Sequence, residues 1–511
     1  MAATMKNAPS AVVGLDIGSE SIKVSEARLT KDGVIISGLG IAQTPVGVFQ
    51  DEIVVDPATL GAAVKMLLAS SGIKTRKCVS SIEGQNKVVV RVIEVPKMED
   101  KELSESMKWE VDRQVPFAAT NEIEMDYAAI PSESDDLNIQ TMEVLLAVAQ
   151  KDVVESHVAA LRAAGLKPYA IDLAQLAAER SLVELVPIDP NVLPEDSVVA
   201  IISIGARNTE MGIFENGTLT FPCPPIPIAG DTITNEIAEA LGLSPEEAEQ
   251  TKKEYASVDL ESMAGYGPEG SEEPTTYDQG FYMPTDTAFS MSEPEDSYHS
   301  AVTPMDDESP KATFDLGAEL GFPQFDDTSS VSPAKEEVTD SFDGFDLGAD
   351  AVDKNIVPVN LDQAVGEDIE EDKVVSTAFV LDYDLSELEP AVTHVVHTAA
   401  PGATKDAAMV AQVSDAISGV LIDLANEIRR SMEYYSVKYN NTPSKVFLCG
   451  GTAKIPNLAE FLTRELGVPV EVANPLANIP CHVPSMSDFY IKDLAPIFSV
   501  SVGLAIRDMI G

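Results

Sequence analysis

The sequence predicts an α/β chain of two similar lobes, with a small α+β insertion in the first lobe and a long acidic insertion in the second. Three observations predict this. A strand–turn–strand unit centred on glycine at residues 12–24 returns at 199–209. Apolar residues elsewhere alternate between strand and helix periods, as layered α/β chains require. A stretch rich in Ser, Pro, Gly, Asp and Glu, about 256–400, interrupts that pattern. At 511 residues the chain is also longer than one core usually supports.

The first unit is Val12-Val13-Gly14-Leu15-Asp16-Ile17-Gly18-Ser19-Glu20-Ser21-Ile22-Lys23-Val24. Gly18 can take the backbone angles of a tight turn and offers no side chain to hold an anion away. The amides of Gly18, Ser19, Glu20 and Ser21 can then converge on a phosphate. Asp16, at the strand end, is placed to hold a hydrated metal ion, and Lys23 adds charge beside it. A plain β-hairpin would read the same way. The second unit, Val199 to Thr209, repeats the apolar run and then gives Gly205-Ala206-Arg207-Asn208-Thr209. Each unit is followed by a hairpin signal, Asp32-Gly33 and Asn216-Gly217. Two distant copies imply two similar lobes with facing phosphate turns and a nucleotide in the cleft between them.

This arrangement resembles the actin, Hsp70 and sugar-kinase superfamily. A third element fits the resemblance: the apolar run 445–449 enters Gly450-Gly451-Thr452 and then a helix. In that superfamily such a loop lies against the adenosine. Six ordered blocks bring the resemblance closer, to the PilM family of type IV pilus assembly, itself related to FtsA. They are Gly14–Val24, Trp109-Glu110 through Val115-Pro116-Phe117, and Ala229-Gly230-Asp231 through Glu249. The remaining three are Glu427 through Tyr435, Cys449–Thr452, and Val502–Ala505. They span about 11–255 and 405–511.

The resemblance implies ATP with Mg2+ in the cleft. Its contacts would be Asp16, Gly18, Ser19, Glu20, Ser21 and Lys23, then Gly205, Ala206, Asn208 and Thr209, then Gly450, Gly451 and Thr452, with Asp16 on the metal. It also implies a partner: the N-terminal cytoplasmic peptide of a PilN-like inner-membrane protein, held between the first lobe and the small insertion. FtsA ends in an amphipathic membrane helix. The text Arg507-Asp508-Met509-Ile510-Gly511 does not read as one, so membrane contact is expected to be indirect. Ser203 stands where the superfamily usually has the Asp of the second turn. A hydroxyl holds metal-bound water less well than a carboxylate, and no residue reads as a base. The expectation is ATP binding with little or no hydrolysis. An ATPase or small-molecule kinase of the same fold is the alternative, and an actin-like polymer a third.

The domain map reads 1–10 as a tail, 11–96 as the first lobe, 97–190 as the α+β insertion and 191–255 as the start of the second lobe. It reads 256–400 as a mostly disordered acidic insertion and 401–511 as the rest of the second lobe. Ser244-Pro245-Glu246-Glu247 is a helix-starting box. Val410 through Tyr435 carry one apolar helix face. The net charge of −50 is uneven, more than half of it falling in the acidic segment, and argues against nucleic acid and anionic membrane surfaces. Within that segment Phe-Asp-Leu-Gly occurs at 314–317 and 345–348. Its reading is either a short docking motif or low-complexity drift. The four cysteines have no paired spacing and the five histidines no cluster, which reads as a reducing compartment without a zinc site. No uninterrupted apolar run approaches 18 residues, so a cytoplasmic location is expected.

Replacing 260–395 by a short flexible linker is expected to leave a folded protein, because shortening a loop changes closure entropy little. Circular dichroism of the deletion variant checks this. An unfolded product would make the segment part of the core.

Overall fold

The computed structural model describes residues 9–84, 86–118, 121–130, 140–184, 198–263, 406–484 and 486–509. Most of the acidic segment, with its Phe-Asp-Leu-Gly pair, lies outside the described residues, as do residues 1–8 of the tail.

The first lobe opens with a meander of β1 (Ala11–Ile17), β2 (Ser21–Thr30) and β3 (Gly33–Gln43). A short hairpin, β4 (Phe49–Gln50) and β5 (Ile53–Val54), leads to α1 (Pro57–Ser70), whose first turn is capped by the Asp56 carboxylate on the Thr59 amide. β6 (Lys77–Ile82) returns parallel to β1. The chain then leaves this sheet. β7 (Val88–Pro96), α2 (Asp100–Gln114), β8 (Ile123–Ala129) and β9 (Thr141–Gln150) build a separate three-stranded sheet in the order β7-β9-β8. One face of it is closed by Leu103, Met107 and Val111 of α2 over Ile93, Val144 and Leu146.

α3 (Lys151–Ala163) and β10 (Lys167–Leu173) belong to the first lobe again, because β10 pairs parallel to β6 and α3 packs on α1. The separate module therefore spans 88–150, whereas the sequence suggested 97–190. β6 and β7, neighbours in sequence, lie in different sheets. α4 (Ala174–Glu179) follows and runs into a wider helical turn at Arg180–Glu184.

The second lobe repeats the first. β11 (Val198–Ile204), β12 (Thr209–Glu215) and β13 (Thr218–Pro222) form a meander whose hairpin turns at Asn216 and Gly217, both with positive φ. α5 (Gly230–Leu241) and α6 (Pro245–Tyr255) follow, α6 starting in the expected capping box of Ser244 and Glu247. Then come α7 (Ala407–Tyr439), β14 (Lys445–Cys449), α8 (Leu458–Leu466), β15 (Val470–Val472), α9 (Asp488–Leu494) and α10 (Ser499–Ile506). The sheet orders are β10-β6-β1-β2-β3 and β13-β12-β11-β14-β15, with matching parallel and antiparallel senses.

Order continues past the expected boundary at 256. Ala256, Val258 and Met263 are buried, and the Arg464 guanidinium donates to the Leu260 and Met263 carbonyls. A deletion of the acidic segment should therefore begin after Met263. At its far end, Asp406 caps α7 through the Ala408 and Met409 amides.

Ala407–Tyr439 and the helical stretch Asp488–Ile506 reach membrane-spanning length and hydropathy. The first buries one stripe (Val413, Ile417, Leu421, Leu424, Ile428, Tyr435) in the second-lobe core. The second is mostly buried. Length and hydropathy here belong to core helices.

One core cluster joins the lobes. Val12, Ala27 and Ile36 of the first sheet, Val199, Ile201 and Phe214 of the second, and residues of α4 and α10 all belong to it. Every residue of α10 is buried. A side-chain carbon at Gly14 would overlap the Ser501 carbonyl oxygen, and one at Gly503 would overlap the Ala177 carbonyl oxygen. Gly503→Val should therefore force backbone apart and cost ~3 kcal/mol or more. Urea unfolding of the variant checks this.

Candidate functional site

The two glycine turns have the same geometry. In the first, the Gly18 N–H donates to the Ser21 carbonyl at 3.0 Å. In the second, the Gly205 N–H donates to the Asn208 carbonyl at 3.1 Å. The flanking pairs also correspond: Asp16 faces Lys23 across β1–β2, and Ser203 faces Glu210 across β11–β12. The backbone repeats, but the side chains invert the charge.

In the first turn Asp16 is ion-paired to Lys23 at 3.3 Å, both side chains being mostly covered. Thr44, which the sequence did not single out, fixes this turn. Its N–H donates to the Glu20 carbonyl and its hydroxyl to the Gly18 carbonyl. Ser19, Glu20 and Ser21 complete the turn, with Glu20 exposed and aimed at the second lobe. Burial and the charges of Asp231 and Glu249 hold the Glu20 carboxyl above the usual range, while Lys253 and Lys252 pull it down. Those four groups come from α5 and α6, so the first turn faces the N-terminal end of α5 and the Glu249–Lys253 face of α6.

The second turn is bolted to α5. The Gly230 and Asp231 amides donate to the Gly205 and Ala206 carbonyls at 3.0 and 2.7 Å. Asp231 is thus inside the first turn of α5, whose N-cap is Ala229. Asn208 supplies the carbonyl that closes the turn. Thr209 does not reach the cleft: it is fully buried and its hydroxyl donates to the Ile228 carbonyl at 2.7 Å. As the first residue of β12 it points into the second-lobe core.

The third loop also divides. Gly450 has φ +92°, and a side chain there would overlap the Ile204 carbonyl, so its lack of one serves the packing of β14 on β11. The Thr452 hydroxyl donates to the Gly205 carbonyl at 3.3 Å and belongs to the support of the second turn. Gly451 has open space around it. Of this loop, Gly451 is the residue that offers free main chain.

Sequence reasoning missed two groups. On α6, Glu249, Lys252 and Lys253 form paired contacts of 2.6 and 3.0 Å. Burial works against ionising Glu249, but Lys252, Thr234 and Lys253 outweigh it and its carboxyl lies below the usual range. The Glu-x-x-Lys-Lys spacing on one helix face was the available signal. At the cleft floor Glu83, Gln175, Ser203 and Glu210 line a cavity of about 20 Å³. Burial, then the charge of Glu83, pushes the Glu210 carboxyl up to about 8, although Gln175 donates to it at 3.0 Å. Glu83 is raised too, by the protein around it and by the charge of Asp16, although the residue as a whole is exposed. Placing Glu210 at the Lys23 position of the repeat was the signal for this residue. Among the described residues there is no cluster of three His, Cys, Asp or Glu side chains suited to a metal. Three of the four cysteines are buried.

Two duplicated sheets around such a cleft define a protein of the actin-like fold. Comparison with known proteins carries this further. The family model for type IV pilus assembly protein PilM matches residues 14–259, and that for cell division protein FtsA matches 200–502, more than half of the chain. The chain belongs to the actin-like family that contains PilM and FtsA.

FtsA of Pseudomonas aeruginosa is 26% identical over 282 residues, covering 50% of this chain and 63% of that protein. The chain thus spans less than two thirds of that relative. A solved PilM–PilN type IV pilus biogenesis complex superposes with TM-score 0.59 and 20% identity, covering 98% of both chains. The ethanolamine utilization protein EutJ from Carboxydothermus hydrogenoformans is 12% identical with TM-score 0.42, over 98% of this chain and 90% of that one.

The two loop glycines should separate in their effects. Gly450→Ala meets backbone and a positive φ, so its unfolding midpoint should fall sharply. Gly451→Ala meets nothing and should unfold like the parent. Thermal unfolding of the two variants checks this.

Proposed function

We propose that the chain is an ATP-binding scaffold of a type IV pilus assembly platform, held at the inner membrane from the cytoplasmic side through a PilN-like partner. The observation that carries this reading is the pair of matching glycine turns, Gly18 and Gly205, on sheets of matching order, within a fold that follows the PilM of a PilM–PilN complex along nearly its whole length. ATP would lie with its phosphates between Gly18–Ser21 and Gly205–Asn208, and with its nucleoside against Gly451 and the Glu249–Lys253 face of α6. The turn amides other than those of Gly18 and Gly205, which close the turns, would supply donors for phosphate, and Lys23 would add charge as far as its pairing with Asp16 allows. Mg2+ would enter with the phosphates. Asp16 and Ser203 are the donors at hand, which suits an ion that keeps several waters and uses one or two carboxylates.

The partner peptide would dock on the 88–150 module. β8 is one edge of its sheet, and α2 carries Trp109 on its outer side, 77% exposed beside Glu105, Lys108 and Asp112. An extended peptide can add to such an edge, and an exposed aromatic side chain on the same module can grip apolar residues. A second reading, an ATPase, is favoured by the carboxyl groups of Glu83 and Glu210 at the cleft floor. Release of phosphate from ATP and Mg2+ distinguishes it.

Gly18→Val and Gly451→Val should each weaken ATP binding by at least ~10-fold, about 1.4 kcal/mol, while circular dichroism stays native. Unchanged affinity in the folded variants would overturn the cleft assignment. Separately, titration of the full chain with the PilN-like tail peptide should give binding that Trp109→Ala and a proline in β8 reduce. Binding unaffected by both would place the partner elsewhere.

A further inference from the structure

Gly18 and the cleft lie at one end of the first sheet. At the other end β6 and β10 begin side by side, since β6 runs parallel to β1 and β10 parallel to β6. The chain enters β6 from α1 through Lys74, Thr75 and Arg76. It enters β10 from α3, whose last turn carries Arg162. Lys77 and Lys167, the first residues of the two strands, are register partners. Lys74, Arg76, Arg162 and Lys167 are exposed, and Lys77 is half-buried. Five cations thus meet at one corner of a chain whose net charge is −50.

The fold accounts for only part of this. Arg162 faces the carbonyl end of α3, where a cation is favoured. Lys167 and Pro168 discourage pairing at the outer edge of the sheet. Neither reason covers Lys77, which stands on an inner strand opposite Lys167. Adjacent strands are about 4.8 Å apart, and like charges at partner positions repel. No carboxylate offsets them: among the described residues none of the five cations has an ion pair. Glu26, which reaches the loop before β6, is buried and already accepts from Thr75, Ser37 and Arg28. Lys77 is held instead by a ring, with its Nζ 3.5 Å from the Tyr169 centroid. The register shifts between Pro168 and Ala170, which makes Tyr169 the extra residue of a bulge. A bulge re-aims a side chain, and here the Tyr169 residue is left 48% exposed beside the cations.

We infer that this corner is a docking surface for an acidic peptide segment of a partner protein. A carboxylate set between Lys77 and Lys167 relieves their repulsion, and neighbouring carboxylates of the same segment serve Arg76, Arg162 and Lys74. The exposed ring of Tyr169 gives the segment an apolar surface with a polar tip. Charge selects a short peptide over larger anions. The protein as a whole repels nucleic acid and anionic membranes, whereas a short segment within a Debye length of the corner responds to the local cations. The segment lies across the strand starts and is not an added strand, because Pro168 has no N–H and the bulge interrupts the edge. The corner is at the far end of the sheet from Gly18 and outside the 88–150 module, so it depends on neither the nucleotide nor the tail peptide proposed above.

An anisotropy titration of the full chain with dye-labelled hexaglutamate tests this. Binding should be measurable at about 0.1 M salt and at least ~10-fold weaker at about 1 M, where the screening length falls to about 3 Å. Lys77→Gln/Lys167→Gln should weaken binding at the lower salt by a similar factor. Arg162→Gln/Lys167→Gln leaves Lys77 on Tyr169 and should weaken it too, with native circular dichroism in both variants. Lys101→Gln/Lys492→Gln, at exposed sites elsewhere, should bind like the parent. Absence of binding overturns the inference, as does binding unchanged in both corner variants or weakened equally in the control pair. A single-stranded oligonucleotide, or vesicles containing phosphatidylserine, that binds more tightly than the peptide and is lost in the same corner variants also overturns it, and assigns the corner to phosphate groups.

Discussion

Backbone meets backbone where α10 crosses β1 and α4, and the two lobes depend on that contact. Gly14 and Gly503 are the residues that allow it, since a methyl group at either would overlap a carbonyl. Approach this close removes space for side chains, so the polar groups there must find partners locally. Ser25 and Ser501 bond at 2.7 Å, and the Arg180 guanidinium donates to the Gly503 carbonyl while pairing with Asp172. Arg507 adds a second cation to Asp172. A buried carboxylate with two guanidinium partners is tolerable where one left alone would not be. The contact explains why a helix from the second half of the chain is packed against the first sheet.

Duplication set the backbone of the two turns, and single positions then made them different. Asp16 and Lys23 neutralise each other on the first lobe. Their counterparts, Ser203 and Glu210, leave one acid facing the cleft floor. The turn hydrogen bonds are the same within 0.1 Å, at 3.0 and 3.1 Å. Electrostatic asymmetry in the cleft thus arises without any difference in main-chain path. The hydroxyls of Thr209 and Thr452 show the same economy, since both serve to hold loops in place.

Much of the fold was legible in the sequence because its signals are local. Gly18, Gly205, the Asn216-Gly217 turn and the Ser244 capping box each act within a few residues, and each forms as read. The limits of the inserted module were not legible. Lys151–Leu173 has the same helix-then-strand pattern whether it belongs to the module or to the lobe, and only the pairing of β10 with β6 decides. The site divided in the same way. Asp16 and Lys23 are register partners and could be paired from the hairpin alone. Glu83 and Glu210 are brought together by lobe packing, which no spacing encodes. Gly450 and Gly451 look alike as text, and they differ because one lies against Ile204 and the other against open space. The ordered stretch 256–263, anchored by Ala256, Val258 and Met263, was missed because its few apolar residues follow a polar helix and precede the acidic segment.

The seat of α10 also governs how the protein is made. The first sheet is complete in sequence at Leu173, but α10, which packs on β1, comes from 499–506. A ribosome adding about 5–20 residues per second needs on the order of tens of seconds to cover that interval. Throughout it the nascent first lobe carries an apolar sheet face that lacks its α10 cover. Folding of this lobe is therefore completed only once α10 has been made, and is governed by a contact of very long sequence separation. During that interval the uncovered strands are open to pairing with other chains, so yield in a cell should depend on how fast α10 arrives as well as on final stability.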